Sequence, residues 1–334
     1  MSMKESESAA THWPDGDAEV PAGPVLRVIY VSRSEVRGAV LDEMRRIRDQ
    51  ALVNNRAHGL RVALLNMNGW FVQWIEGPQE GVDELLARVS GDERHHSLLV
   101  IHRSEGCPRL FRPWIGSIVQ SAESDRQVHL RVRARYERHT KGETGEPSVA
   151  WLQLCAPPAP DMPRPLGRNP VAMLLSAQGA HAFALLDWLA VKEQRLLVRR
   201  RFAGGADDAP DVESDYVDLP ASGPRGLRLV ANARKGLAMG MTHAFLPDFA
   251  AVVVLLDGSV GRNQRLVERV LTACRQTHHS PLIVGLGGSD QVTTELQELV
   301  ERQGMPWVAA VAPGEAHGPA ELWAALEPVL MQLD

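Results

Sequence analysis

One glutamine lies in a stretch that otherwise has the composition of a buried strand. Gln73 stands within residues 70–77, which read Trp-Phe-Val-Gln-Trp-Ile-Glu-Gly. Side chains alternate between the two faces of a strand, so Gln73 shares a face with Phe71 and Ile75. An amide buried on an apolar face without hydrogen-bond partners costs about 1–3 kcal/mol. The sequence therefore predicts that another side chain, a water molecule or a ligand bonds the Gln73 amide.

The elements that position Gln73 are predicted from hydrophobic periodicity and turn residues. Asn68-Gly69 is a hairpin signal directly before the Gln73 strand, and Gly91 ends the helix after it. The predicted order is strand 26–32, helix 35–54, strand 60–65, the Gln73 strand, helix 82–89 and strand 97–102. This β-α-β-β-α-β order predicts an α+β ferredoxin-like domain with both helices on one face of an antiparallel sheet. The residues from Trp114 to Ile118 are expected to add an edge strand.

Length, charge and cysteine spacing narrow the class of protein. At 334 residues the chain has room for two domains, and its net charge of −5 shows no basic footprint for nucleic acid. Cys107, Cys155 and Cys274 are isolated and lack metal-ligand spacing, which indicates a reducing compartment. No apolar run has membrane-spanning length, and the N-terminus does not have the pattern of a signal peptide. We therefore expect a cytoplasmic protein that binds neither membrane nor nucleic acid.

The chain divides into four predicted segments. Residues 1–24 are acidic and poor in apolar side chains, and they are predicted to be a disordered tail. Residues 25–150 form the first domain, which becomes charged and poorly periodic from residue 121 onward. Residues 151–170 are rich in proline and are predicted to form a semi-rigid linker that holds two domains apart. Residues 171–330 alternate apolar strands with helices, which predicts an α/β domain with a mostly parallel sheet.

Several motifs of the first domain occur together at a characteristic spacing. They are Ile29-Tyr30-Val31-Ser32, Asn55-Arg-Ala-His-Gly-Leu60, Asn68-Gly69, Phe71-Val-Gln73-Trp-Ile-Glu76-Gly77-Pro78 and Asp92-Glu-Arg94-His95. Together they resemble the BLUF family of flavin-binding blue-light sensors. The resemblance covers about residues 26–120, a little over a quarter of the chain.

The resemblance implies which residues hold and sense a flavin. In the family a glutamine bridges a tyrosine hydroxyl and the flavin ring, and Gln73 and Tyr30 match these two residues. Blue light would then move an electron and a proton from Tyr30 toward the flavin, while Gln73 rearranges or tautomerises. Asn55 would hold the carbonyl edge of FAD, and Trp114 would relay the signal. The resemblance also implies flavin contacts at Ile47, Asn54, Leu64, Phe71, Asp92, Arg94 and His95.

Each of these residues also has a structural explanation. Tyr30 fits a core aromatic whose hydroxyl bonds a backbone carbonyl. Asn55 fits a helix C-cap in the left-handed conformation. The segment from Asp92 to His95 fits a solvated loop, and its Arg94 alternatively pairs with the flavin phosphates. Gln73 is the hardest to explain structurally, because that explanation still requires a buried partner.

The chain differs from the family pattern at four positions. Arg61 and Val62 stand where the family usually has Thr-Gly, and they are expected beside the ligand end of the first helix. Ala51 replaces a small hydroxyl residue, and Gly116 replaces a methionine. These differences leave two alternatives open, a loosened flavin site and a fold that has lost the flavin.

The second domain resembles a Ras-like G domain without a P-loop. The strand 251–256 with Asp257, the helix after it and the loop ending at Asp290 have the rhythm of the G domain's central strand, helix and base-recognition loop. A P-loop needs glycines, a lysine and a magnesium-binding hydroxyl, because these groups hold phosphates. Ala182 stands at the lysine position and Phe183 at the hydroxyl position. We therefore expect a pseudo-GTPase that binds a protein partner, and no enzymatic activity.

The whole chain is thus interpreted as a cytoplasmic blue-light photoreceptor. It would bind FAD in the first domain and signal to a protein partner through the second, with homo-oligomerisation left open. The first alternative is a flavin-free BLUF-fold scaffold that acts only through interaction surfaces. The second alternative is an atypical GTPase with an unusual phosphate loop.

Overall fold

The computed structural model describes residues 23–36, 38–120, 123–158, 170–204, 212–220, 226–238, 240–311 and 318–333. The predicted acidic tail, apart from Gly23 and Pro24, lies outside these ranges, and so do residues 159–169 of the predicted linker. None of the helices in the described ranges is long and apolar enough to cross a membrane.

The first half of the chain has the predicted ferredoxin-like order. Its elements are β1 (Val25–Ser34), α1 (Val40–Ala57), β2 (Arg61–Met67), β3 (Trp70–Gly77), α2 (Gln79–Ser90), β4 (His95–Gly106) and β5 (Ile115–Gln120). Asn68 and Gly69 join β2 to β3 with positive φ angles of 47° and 75°, as a tight two-residue hairpin requires. The sheet is antiparallel in the order β2-β3-β1-β4, so β1 and β3 are interior strands.

Two helices cover the face of this sheet opposite α1 and α2, in the region that the periodicity predicted to be irregular. They are α3 (Asp125–Thr140) and α4 (Pro147–Cys155). Their buried side chains, among them Val128, Val132 and Trp151, pack on Trp74 and Val72. The predicted boundary at residue 150 therefore falls inside α4, and the charged composition of α3 hid a narrow apolar stripe.

The second half alternates strands and helices. Its strands are β6 (Val171–Ser176), β7 (Leu197–Gly204), β8 (Val212–Leu219), β9 (Leu227–Asn232), β10 (Ala251–Leu255), β11 (Leu282–Leu286) and β12 (Trp307–Ala310). Its helices are α5 (His181–Lys192), α6 (Gly240–Phe245), α7 (Val260–Gln276), α8 (Asp290–Glu301) and α9 (Pro319–Leu330). The strands β9, β6, β10, β11 and β12 are parallel, whereas β7 and β8 run antiparallel beside them. Helices α5 and α9 cover one face and α7 and α8 the other, so the mostly parallel α/β arrangement agrees with the prediction.

The two halves form one sheet of twelve strands, in the order β12-β11-β10-β6-β9-β8-β7-β5-β2-β3-β1-β4. The junction is the antiparallel pair β5 and β7, where Ser117 lies opposite Gly204 and Val119 lies opposite Phe202. The expectation that the linker holds the domains apart is therefore wrong. The expectation of β5 as an edge strand is wrong for the same reason, because β5 pairs with β2 on one side and with β7 on the other.

Candidate functional site

The structure places the Tyr30 hydroxyl on the Gln73 amide. Tyr30 in β1 and Gln73 in β3 are directly opposite each other in the antiparallel register. The hydroxyl of Tyr30 donates a hydrogen bond to Oε1 of Gln73, and both side chains are buried. Burial, followed by the charge of Asp92, raises the pKa of Tyr30 well above its usual range. The phenol therefore stays protonated at neutral pH and can act as a donor.

A cleft opens between this pair and the helices α1 and α2. Side chains of both helices, of the sheet and of the segment after α2 converge on it. Among the predicted site residues the lining includes Tyr30, Ile47, Asn54, Asn55, Leu64, Phe71, Gln73, Asp92, Arg94 and Trp114. The side chain of His95 lies outside the described part of the structure. Residues far apart in sequence thus meet at one site, with apolar walls and a few polar groups, which is the usual character of a small-molecule site.

Four lining residues were missed in the sequence, namely Gln50, Leu85, Arg88 and Val89. Helical spacing from the predicted site residues and along α2 could have indicated them. Gln50 lies one turn from Ile47 and from Asn54 on α1, and Arg88 and Val89 lie one turn after Leu85 on α2. Arg88 adds a cation to the wall supplied by α2.

The mouth of the cleft carries a fixed ion-pair cluster. Nε of Arg94 donates to Oδ1 of Asp92 at 2.8 Å, and its Nη1 donates to Oε1 of Glu43 on α1 at 3.1 Å. The hydrogen bonds that Arg94 donates to Asp92 are the main reason why the pKa of Arg94 is raised. Arg94 thus ties the segment after α2 to α1, and this bonding makes a free solvated loop a poor description of the segment.

Asn55 and Trp114 join the cleft to the loop that precedes β5. Nδ2 of Asn55 donates to the carbonyl oxygen of Pro113 at 2.8 Å in a buried environment. The side chain of Trp114 is 9% exposed, and its buried indole N–H has no hydrogen-bond partner among the residues described. A buried N–H without a partner is costly, and a ligand acceptor is one of the groups that would satisfy it. The residues around the cleft therefore fit a heteroaromatic ligand that carries acceptors, such as a flavin.

The four residues that differ from the family pattern do not all lie at the cleft. Val62 and Ala51 line the cleft. Arg61 lies directly opposite Glu76, and strand alternation turns it to the face opposite the cleft, so its predicted position beside the ligand is wrong. At Gly116 an added Cβ would lie 3.0 Å from Nε1 of Trp114 and 3.3 Å from the methyl carbon of Met44. Trp114 and Met44 therefore leave little room for a side chain at position 116.

Two hydrogen bonds hold the loop at the predicted phosphate position. The hydroxyl oxygen of Ser176 accepts from the backbone N–H of Ala182 at 2.8 Å, in the first turn of α5. Nη1 of Arg234 donates to the carbonyl oxygen of Ala177. One backbone donor that a phosphate would use is thus already bonded. Within the described ranges, no group of three or more His, Cys, Asp or Glu side chains could hold a metal ion.

Comparison with known proteins identifies the N-terminal region. Residues 25–116 match the family model described as BLUF, sensors of blue-light using FAD. Over 92 residues the chain is 33% identical to the photoactivated adenylate cyclase subunit beta of Euglena gracilis. The matched stretch covers 26% of this chain and 10% of that protein. The subunit beta of Euglena longa matches to the same extent. The chain thus spans about a tenth of the length of the curated relatives that it matches.

Two solved structures show similarity to part of the chain. The dark-state structure of BlrB, a BLUF protein, is 24% identical with a TM-score of 0.28, over 40% of this chain and 88% of that one. A bacterial light-regulated adenylyl cyclase is 23% identical with a TM-score of 0.29, over 39% of this chain and 40% of that one.

Fold, cleft and family match together define the region. The region combines a ferredoxin-like sheet with a cleft whose wall contains the buried Tyr30–Gln73 pair. Residues 25–116 are a BLUF domain, a blue-light sensor domain, joined here to an α/β half by a continuous sheet.

Proposed function

We propose that the protein is a cytoplasmic blue-light photoreceptor that binds FAD in the cleft and signals through its α/β half to a protein partner. The observation that carries the proposal is the Tyr30–Gln73 hydrogen bond in the cleft wall. It joins a donor that stays protonated to an amide that can turn. The unpartnered indole N–H of Trp114 adds a second polar group at the same cleft.

The residues around the cleft would hold FAD by shape and by hydrogen bonding. When bound, the flavin supplies a ring that absorbs blue light. Phe71, Leu64 and Ile47 supply apolar contacts. Asn54 and Asn55 supply amide groups for the polar edge of the ring, Arg88 supplies a cation, and Arg94 lines the cleft while paired with Asp92 and Glu43. Tyr30 holds a proton next to Gln73, and a changed hydrogen bond between these two side chains is the signal that leaves the site.

The α/β half would act as a pseudo-GTPase output domain without catalysis. A nucleoside triphosphate carries about four negative charges, and P-loop proteins meet them with backbone amides, a lysine and magnesium. Here Ala182 occupies the lysine position, and its N–H is bonded to Ser176. Output would therefore pass through protein contacts. Homo-oligomerisation is left open.

Flavin titration of the full chain, followed by illumination, tests the proposal. FAD should bind and show visible absorption that shifts slightly to the red in blue light and recovers in the dark. Tyr30→Phe and Gln73→Leu should keep the colour and abolish the shift, because each removes one partner of the hydrogen bond. The matched control is Tyr136→Phe, which changes an exposed tyrosine on α3 and should leave the photocycle intact.

The two alternatives give different results in the same preparations. A protein that stays colourless in excess FAD is the flavin-free scaffold. Titration calorimetry with GTP and magnesium should show no binding to the full chain, because the phosphate position lacks a lysine. Micromolar binding with hydrolysis would favour the atypical GTPase and contradict the pseudo-enzyme assignment.

A further inference from the structure

The loop of residues 107–114, named here the coupling loop, connects the cleft with the α/β half. At its end, Asn55 donates to the carbonyl of Pro113, and Trp114 lines the cleft. At its start, the loop is bonded to the strand that carries Gln73. Oε2 of Glu76 in β3 accepts from the backbone N–H groups of Arg109 at 2.7 Å and Leu110 at 2.8 Å. A movement of β3 would therefore shift the start of the coupling loop, and a movement of Asn55 or Trp114 would shift its end.

The same loop holds a segment of the α/β half. Nη1 of Arg109 lies 3.4 Å from the carbonyl oxygen of Ala244 in α6 and 3.5 Å from the carboxylate of Asp248 just after it. Nη2 of Arg109 donates to Glu146 at 2.8 Å, which fixes the guanidinium from the side of α4. Arg109, whose side chain is 13% exposed, is thus an ionic link between the sensor domain and the segment 240–248.

Aromatic contacts run beside this ionic link. The ring of Phe111 in the coupling loop makes an edge contact with the ring of His243, with 6.2 Å between centroids. Trp74, the neighbour of Gln73 in β3, packs 6.3 Å from the ring of Phe245 and donates through Nε1 to Glu76. Trp74 points to the face opposite Gln73, so a displacement of β3 at the cleft also displaces a side chain that touches α6.

The segment that Arg109 contacts is connected to the edge of the parallel sheet where the carboxyl ends of its strands lie. Residues 233–250 lie between β9 and β10, and the structure describes 233–238 and 240–250 of them. Within them, Arg234 donates to the carbonyl of Ala177, in the loop between β6 and α5, and Thr242 in α6 donates to the carbonyl of Gly236 at 2.6 Å. The loop between β6 and α5 lies at the carboxyl ends of the parallel strands, where open α/β sheets bind their ligands.

We propose that the coupling loop transmits the state of the Tyr30–Gln73 pair to residues 240–249, and that this segment is the light-controlled element of the output half. Arg109 is the positioning residue of this coupling. Its bonds to Glu146, Ala244 and Asp248 make the position of the segment depend on that of the loop. The proposal rests on the proposed function for the light signal, while the contacts themselves are independent of flavin.

Hydrogen–deuterium exchange of the full chain with FAD, in the dark and under blue light, tests the coupling. Absorption is recorded in the same samples. In the wild type, amides of 240–249 should change their exchange rate severalfold on illumination. Arg109→Gln should keep the spectral shift and abolish this difference, and Arg109→Lys should restore part of it because it keeps the charge. The matched control is Arg103→Gln, which breaks an exposed pair with Asp83 and should change neither quantity.

A second arm needs no light. In the dark, with or without FAD, Arg109→Gln and Asp248→Asn should each speed exchange in 240–249 severalfold, because each breaks the same ion pair from one side. A spectral shift with unchanged exchange in 240–249 overturns the coupling and leaves the sensor intact. A chain without any spectral shift overturns the proposed function, and the coupling falls with it.

Discussion

The buried carboxyl of Glu76 is expected to make stability fall as pH rises. The side chain is fully buried. Burial raises its pKa to about 7, although the N–H groups of Leu110, Arg109 and Trp74 and the charge of Arg27 oppose this change. A carboxyl group in an unfolded chain has a pKa near 4.3. Between these two values the folded protein therefore holds a proton that the unfolded chain has released.

The sign and size of the effect follow from proton linkage. Where the native state binds more protons, the free energy of unfolding decreases with rising pH. One pKa unit corresponds to about 1.4 kcal/mol, so a rise of roughly 2.7 units corresponds to about 3.5–4 kcal/mol. This stabilisation is fully present below about pH 4.3, decreases through the interval and is lost above about pH 7.

Glu76→Gln removes the titration while keeping the size of the side chain. Urea unfolding of wild type and variant at pH 5 and pH 8 should show that the wild type loses about 2–3 kcal/mol more than the variant over this interval. Glu93→Gln, at an exposed position, is the control and should retain the pH dependence of the wild type. Equal pH dependence in wild type and Glu76→Gln would refute the reasoning, whatever the absolute stability of the variant.

Two further predictions concern packing and capping. Ser124→Ala should lower the free energy of unfolding by about 1 kcal/mol, because Ser124 and Gln127 form a reciprocal cap at the start of α3; Thr at the same position should retain most of it, and an unchanged urea midpoint for the alanine variant would contradict the role of the cap. Gly285→Ala should cost about 1–3 kcal/mol by overpacking, because the added Cβ would lie 2.6 Å from Cζ2 of Trp307. Thermal unfolding measures this loss, and Gly258→Ala, with open space around it, is the control.

Much of the sensor fold could be predicted because its local signals agree with one another. The hairpin residues Asn68 and Gly69 adopt the positive φ angles that their types favour. By contrast, α3 escaped prediction because a narrow stripe that includes Val128 and Val132 is its buried face and the remainder is charged. A stripe of this width gives little periodicity.

The sequence pattern does not predict β8 at residues 212–219, and the reason is different. It buries Asp215 and Asp218, which are types that argue against a central strand. Arg201 on β7 donates to Asp215 at 2.8 Å, and Arg228 on β9 donates to Asp218 at 2.7 Å. The partners come from neighbouring strands, so the pairing that permits burial is visible only in three dimensions. The junction of β5 with β7 is a long-range pairing of the same kind.

The candidate site could be located from motif spacing, but not all of its surroundings. The motif spacing predicted that Tyr30, Gln73 and Asn55 act at one site, and all three line the cleft. It did not show the bond from Asn55 to Pro113 or the crowding of Gly116 by Trp114 and Met44. Both depend on how a loop and a helix pack against the sheet. The orientation of Arg61 could have been read from strand alternation, since Val62 faces the cleft.

The visible absorption spectrum of the purified full chain, recorded in the dark, under blue light and again in the dark, tests the sensor function most directly. The Tyr30–Gln73 pair in the cleft wall predicts a flavin spectrum after reconstitution with FAD, with a small red shift that reverses in the dark and disappears in Tyr30→Phe. A protein that stays colourless in excess FAD, or a flavin spectrum that blue light leaves unchanged, would contradict it.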